Sequence, residues 1–120
     1  MRIKGRTDPN KITLIRMLKS AAVKNNSKIW GSLADNLSKS NRNRTVVNLS
    51  HLNRISSPED VIVVPGKVLG GGSLNHPLEI AAESFSVEAQ EKIRNVGGKI
   101  STFKELIERN PKGSKIRIIK

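Results

Sequence analysis

A glycine-rich segment that carries a lysine is the first place in this 120-residue sequence to look for chemistry. Such a segment binds nucleotide phosphates when it follows the spacing Gly, four residues, Gly-Lys-Ser/Thr. Gly66-Lys67 fails this test, because Val61 stands where the first glycine is needed and Val68 where the hydroxyl residue is needed. The dinucleotide pattern also fails, since its third glycine would fall on Asn75. We therefore interpret the glycines at 70–72 as a tight backbone turn beside the sheet or a close approach to the backbone of a ligand, and expect no cofactor.

The other reactive side chains do not form a recognisable centre either. The two histidines, His51 and His76, lack the HExxH pattern, and the sequence has no cysteine to share a metal with them. His76 could contact a phosphate, or it could have only a structural role in the turn to which it belongs. No serine lies in a Gly-x-Ser-x-Gly elbow, and Glu88 and Glu91 fit a surface helix better than a pair of catalytic acids. The sequence predicts a binding protein with no catalytic residues, no metal and no small-molecule substrate.

The charge of the chain indicates what it binds. The net charge is +12, and it is uneven: residues 1–56 carry twelve Lys or Arg against two acids, whereas residues 57–120 carry ten against eight. Such asymmetry predicts a polyanion contacted mainly from one side, with nucleic acid the first candidate and an anionic membrane surface the second. No apolar run approaches the roughly 20 residues of a membrane helix, and few large aromatics could insert into a bilayer. We expect no membrane partner.

The aromatic residues narrow the mode of recognition. Trp30, Phe85 and Phe103 are the only ones, and each lies in an apolar context typical of a core. Proteins that bind single-stranded nucleic acid stack its bases on exposed aromatic rings. We therefore expect recognition through phosphates, sugars and the shape of a folded nucleic acid. The absence of cysteine and of a signal peptide predicts a reducing, cytoplasmic location.

The first half of the chain predicts a basic arm, a helical hairpin and a basic loop. Residues 1–8 form the arm, and the hairpin covers 9–40, with Asp8-Pro9 as its start and Asn25-Asn26-Ser27 between its two helices. The polar run at 39–45 has no apolar residue, so it either contacts phosphate directly, which we favour, or is only solvated. A short helix capped by Asn48 or Ser50 should then expose His51 and Arg54.

The second half alternates strands and helices, which predicts an α/β core over 45–120 within a single domain over 9–120. A buried strand begins at Val61 and should stop at Pro65-Gly66, and a second strand covers 78–83. Ser86 should cap a helix over 87–96, and Thr102 with Glu105 forms a capping box for another. Short strands are expected at 99–101 and 116–119.

Several blocks together resemble one family, over about residues 9–119. They are Thr45-Val46-Val47-Asn48-Leu49-Ser50, the long block Val63-Val64-Pro65-Gly66-Lys67-Val68-Leu69-Gly70, Ala81-Ala82-x-Ser84-Phe85-Ser86, and Gly113-Ser114 before the last strand. The chain resembles the archaeal and eukaryotic large-subunit ribosomal protein family L-eighteen-e, which shares its core with L-fifteen proteins. This resemblance implies N-terminal helices followed by an irregular β-β-α superhelical core.

The resemblance also implies a function: a structural, non-enzymatic constituent of the large ribosomal subunit, cytoplasmic and located in the ribosome. Its partners would be large-subunit ribosomal RNA and neighbouring ribosomal proteins. The chain departs from the family where Ser40, Asn41 and Asn43 interrupt the basic loop, and where His51 replaces a basic residue. An alternative is a free-standing nucleic-acid-binding regulator that uses the helical hairpin as its reading head. The RNA-binding candidates are Arg2, Lys4, Arg6, Lys39, Arg42, Arg44, His51, Arg54, Lys67, His76, Lys112 and Lys115.

Overall fold

A computed structural model of the chain describes residues 9–38 and 45–119. Two N-terminal helices precede a five-stranded sheet that is interleaved with three further helices, so the predicted α/β class with N-terminal helices is confirmed. The predicted basic arm at 1–8 and most of the basic loop, 39–44, lie outside the described residues. The elements are α1 (Pro9–Lys24), α2 (Lys28–Leu37), β1 (Thr45–Asn48), α3 (Leu49–Ile55), β2 (Val61–Leu69), β3 (Glu79–Phe85), α4 (Val87–Asn95), β4 (Lys99–Ser101), α5 (Phe103–Arg109) and β5 (Ile116–Ile118).

The sheet is parallel throughout, and β2 is its central strand. β3 pairs with β2 along one edge, and β4 pairs with the far side of β3. β5 pairs with residues 61–63 of β2, and β1 pairs with residues 66–69. Since β3 already occupies one edge over these residues, β5 and β1 must follow one another along the opposite edge.

The central strand does not stop at Pro65-Gly66, so that expectation is wrong. β2 continues to Leu69, and its pairing with β3 shifts register between Val64 and Lys67. A proline without a backbone N–H is tolerated at such an irregularity. Gly66 is needed for space: a Cβ atom there would lie 2.0 Å from the carbonyl oxygen of Thr45. Its missing side chain lets β1 pair closely with β2.

Each face of the sheet has its own hydrophobic core. One face carries Ile62, Val64, Val68 and Ile80 beneath α3 and α4. The other face carries Val63, Ala81 and Ile116 beneath α1, α2 and α5. Trp30 and Phe103 are buried in this second core, and Phe85 is half-buried against the first, which confirms the aromatic residues as core residues. No helix in the described ranges is long and apolar enough to cross a membrane.

Two of the residues at helix N-cap positions cap their helix with a side chain, and two others do not. The Ser86 hydroxyl accepts a hydrogen bond from the Ala89 N–H at 3.1 Å, and Thr102 and Glu105 form a complete capping box, as predicted. Ser27 and Asn48 occupy the cap positions of α2 and α3, but neither side chain caps its helix. Both side chains instead bond to segments that are distant in the sequence.

Candidate nucleic-acid interface

The glycine-rich segment at 70–77 lies along α3 and is tied to it by backbone groups. The Gly71 N–H donates to Asn48 Oδ1 at 3.2 Å, and the Ser50 N–H donates to the Gly71 carbonyl at 3.0 Å. Further along, the Asn75 N–H donates to Asn53 Oδ1 at 2.9 Å. The amides of Gly71 and Asn75 are thus occupied within the protein, unlike those of a loop that binds phosphate.

The other side of this segment packs against α4. Lys92 Nζ donates to the carbonyls of Gly70 and Gly72 at 2.7 Å each, and lies 3.2 Å from a carboxylate oxygen of Glu88. A Cβ atom on Gly70 would lie 2.6 Å from Glu88 Cγ, and Gly72 has φ of +80°. The segment needs glycine because two helices confine it.

The histidines have local partners on α3 and beside it. The hydroxyl of Ser56 donates to the Leu52 carbonyl and lies 3.0 Å from His76 Nε2. Because that hydroxyl has only one proton, His76 Nε2 must be the donor in this pair. His51 is half-buried rather than exposed, and its Nδ1 lies 3.3 Å from an Arg54 Nη2 that is itself exposed, as predicted.

The structure assigns Lys67 to a row of three side chains across three strands. Val46 pairs with Lys67, and Lys67 pairs with Ser84, so the three side chains share one face of the sheet. Val46 is 55% exposed and Ser84 is exposed, while Lys67 is half-buried. Val61 and Val63, at the start of β2, belong to the core beneath α1, α2 and α5. We call Val46, Lys67 and Ser84 the sheet-end surface.

Thr45, the last residue of the polar run at 39–45, lies directly beside this surface. Loop residues 39–44 lead into Thr45, which pairs with Gly66, the neighbour of Lys67 in the sequence. The sequence-predicted residues Lys39, Arg42 and Arg44 belong to this loop, and Arg2, Lys4 and Arg6 belong to the arm; all six lie outside the described residues.

The basic turn with Lys112 and Lys115 lies elsewhere, against the start of α2. The Ser27 hydroxyl donates to the Lys112 carbonyl at 2.8 Å, and Trp30 Nε1 donates to the Pro111 carbonyl at 2.7 Å. Lys28, also exposed, follows Ser27 directly. The sequence pattern did not single out Lys28, because the turn beside which it lies is far away in the chain.

The remaining charges separate into paired and unpaired groups. The four ion pairs among the described residues join Lys11 to Glu83, Lys92 to Glu88, Arg109 to Glu79 and Arg117 to Asp60. All four acids in these pairs come from the second half of the chain, residues 57–120. Three of the four cations, all except Lys11, come from that half as well. The cations outside these four pairs include Arg16, Lys19, Lys24, Lys28, Arg54, Lys67, Lys112 and Lys115.

The ion pair between Glu79 and Arg109 shifts the pKa of the Glu79 carboxyl. Burial raises the pKa of Glu79, but hydrogen bonds from Arg109 and Ser101, with the positive charges of Arg109 and Lys99, lower it more. The net pKa lies below its ordinary value of 4.5. This pair joins β3 to α5. Residues 9–38 and 45–119 contain no cluster of three or more His, Asp or Glu side chains suited to a metal ion.

Comparison with known proteins decides the family. One family model, described as covering the 50S ribosomal proteins L-fifteen and L-eighteen-e and the 60S protein L-twenty-seven-A, matches residues 25–101, more than half of the chain. The chain belongs to this family. The resemblance deduced from the sequence blocks is therefore confirmed, and so are the predictions of a ribosomal, cytoplasmic protein and of a non-enzyme.

Curated archaeal relatives match almost from end to end. A protein of Archaeoglobus fulgidus is 42% identical, over 95% of this chain and 97% of its own length. One of Methanoregula boonei is 44% identical over 96% and 95%, and one of Methanococcus maripaludis is 46% identical over 94% of each. All three carry the name "Large ribosomal subunit protein eL18".

Proposed function

We propose that this ribosomal protein is a structural constituent of the large subunit and binds folded ribosomal RNA through phosphate contacts. Its neighbours there are other ribosomal proteins. The support is the family membership together with the name of the relatives, which are large-subunit proteins of nearly the same length. The charge of +12 gives the electrostatic attraction that such binding requires.

The observation that carries the RNA contact is the register of β1 on β2. It sets the end of the basic loop, at Thr45, beside Gly66 and Lys67. In this proposal Arg42, Arg44 and Lys39 act with Lys67 on one stretch of RNA backbone. Arg54 is exposed on α3, over the opposite face of the sheet from Lys67, and would contact RNA separately.

The chemistry suits phosphate and sugar better than bases. Arginine offers a planar fork of donors that matches two phosphate oxygens, and lysine adds a point charge. The aromatic rings of Trp30 and Phe103 are buried, so they provide no platform for stacking bases. The open sheet-end surface leaves room for a folded RNA to lie against the strands, so recognition would depend on RNA shape.

The RNA contact is tested with Arg42→Ala combined with Arg44→Ala. Each lost phosphate contact should make the slope of log affinity against log salt less negative by about 0.7–0.9, so the double variant should flatten it by up to about two. The matched control is Arg94→Ala combined with Lys104→Ala, two exposed cations of α4 and α5. An unchanged slope in the loop variant would show that the loop is only solvated.

Assembly is tested separately by density-gradient sedimentation of cell lysate at low and high salt. Persistence with the large subunit through a high-salt wash is the expected result. Release at moderate salt would favour the free-standing regulator instead. That alternative has little support from the hairpin, because Trp30 and Leu33 of α2 are fully buried in the core rather than presented to a groove.

A further inference from the structure

An open cleft of about 400 Å³ lies where the end of α1 meets the start of α2. We call it the corner cleft, and it is lined by Ala22, Val23, Asn26, Ser27, Lys28 and Gly31. Val23 is 84% exposed, more than any other large hydrophobic side chain in the described ranges. The cleft therefore presents apolar surface to the solvent at its mouth.

Gly31, in α2, is the one glycine of the described residues that the fold itself does not require. At each of the others, either a Cβ atom would come nearer than 3.0 Å to a neighbour or φ is positive. A Cβ atom on Gly31 would meet only Ala22 Cβ, at an ordinary 3.6 Å, although glycine is less favourable than alanine inside a helix. The effect of glycine at this position is to keep the cleft open.

Exposed lysines surround the corner cleft. Lys28 lines it, and the Ser27 hydroxyl donates to the Lys112 carbonyl at 2.8 Å, which brings the basic turn before β5 beside it. None of these lysines belongs to an ion pair among the described residues, and no acid lines the cleft. The exposed lysines here are Lys24, Lys28, Lys112 and Lys115.

We propose that the corner cleft and its four lysines bind an extended acidic segment of a partner protein, with one aliphatic side chain of that segment in the cleft. Carboxylates of the segment pair with the lysines, and the aliphatic side chain covers Val23 and Ala22 in the space that Gly31 leaves. RNA suits this cleft poorly, because phosphate and ribose are polar and no aromatic ring lines the cleft to stack a base.

This inference goes beyond the proposed function and does not depend on the RNA contact at the sheet-end surface. Lys115 comes directly before Ile116, and Ile116 pairs with Val61 at the start of β2. Lys67 follows Val61 by six residues, which at about 3.3 Å per residue is about 20 Å along the strand. The two surfaces can therefore be tested separately.

The test uses two fluorescein-labelled synthetic peptides and the full-length protein. One peptide has a leucine flanked on both sides by glutamates, and the other has serine in place of the leucine. Because burial of a leucine side chain is favourable, the leucine peptide should bind about tenfold or more tightly by fluorescence anisotropy. Equal affinities, or no measurable binding of either peptide, would overturn the inference.

Filling the cleft gives the decisive variant. Gly31→Leu should reduce the affinity for the leucine peptide to that for the serine peptide. Urea unfolding should show this variant to be at least as stable as the native protein, because leucine favours a helix over glycine. The matched control is Ser32→Leu, which adds the same side chain at an exposed position of α2 outside the cleft and should keep the preference for leucine. A preference that survives in Gly31→Leu would contradict the inference.

A charge variant tests the role of the lysines. Lys28→Gln combined with Lys112→Gln should weaken the binding of both peptides by about 2- to 20-fold and leave the preference for leucine intact. The control is Arg94→Gln combined with Lys104→Gln, two exposed cations of α4 and α5, and an equal loss in this control would refute a specific role for the lysines.

RNA binding by the cleft variant separates this inference from the proposed function. Gly31→Leu should bind large-subunit ribosomal RNA with the affinity of the native protein. Weaker RNA binding would assign the cleft to RNA, which would overturn the inference and leave the proposed function standing.

Discussion

Replacing Gly66 with alanine tests whether the pairing of β1 on β2 positions the RNA-binding loop. The new Cβ would lie 2.0 Å from the Thr45 carbonyl oxygen and 2.8 Å from both the Thr45 carbonyl carbon and its Cβ. Two of these atoms are backbone, so no side-chain rotation can relieve the overlap. β1 must move away from β2, which weakens a ladder that spans Thr45–Asn48.

The expected cost follows from overpacking. Inserting a methyl group into a filled site costs about 1–3 kcal/mol, and we expect the upper part of this range because the obstacle is backbone. For a chain of this size, that corresponds to a drop in Tm of about 8–12 °C. At a temperature where the variant is still folded, its RNA affinity should fall although no charge has changed, because the loop exit has shifted away from Lys67.

The assay is urea unfolding followed by RNA titration, with Gly31→Ala as the matched control. A Cβ atom on Gly31 would meet only Ala22 Cβ, at an ordinary 3.6 Å, and Gly31 lies inside α2. That variant should be neutral, or more stable by up to about 1 kcal/mol, because alanine favours a helix over glycine. If Gly66→Ala unfolds within about 0.5 kcal/mol of the native protein and binds RNA equally well, the register does not position the loop.

Three further substitutions test contacts that stabilise the folded protein. Trp30→Phe removes the hydrogen bond to the Pro111 carbonyl and should cost about 1–3 kcal/mol in urea unfolding, because that carbonyl loses its partner. Alanine at any of 70–72 should impair folding without changing nucleotide affinity, and measurable ATP binding by the native protein would contradict this explanation of the glycines. The low pKa of Glu79 stabilises the native state above its ordinary pKa of 4.5, and this contribution should vanish as the pH falls through the lower native value. Glu79→Gln should therefore flatten the acid side of the stability profile, and an unchanged profile would show that the ion pair with Arg109 contributes nothing.

The sequence predicted the features whose causes are local. Ser86 and the pair Thr102 and Glu105 act within one helical turn, so their caps were visible in the sequence and are present in the structure. The valine run of β2 was recognisable for the same reason. The end of that strand was not, because Pro65 is tolerated only through a register shift against β3, which no local pattern reveals.

The parts of the site that could not be predicted depend on distant partners. Ser27 occupies the cap position of α2, but its hydroxyl bonds to a carbonyl 85 residues away. The same holds for Asn48, which bonds to Gly71. Charge asymmetry indicated a polyanion, yet only the parallel register relates the basic loop to Lys67. Which cations share a surface is therefore a property of the topology rather than of spacing along the chain.

The place of β5 in the sheet has a consequence for how the protein is made. Residues 61–63 of the central strand stay without a partner on one edge until residues 116–118 have been synthesised. At about 5–20 residues per second, the nascent chain waits some seconds with that edge open. Parallel pairing between such distant segments is slow to form, and an open strand edge invites pairing with another chain. During this interval the dense positive charge of the first half keeps nascent chains apart, which would favour correct completion of the sheet over aggregation.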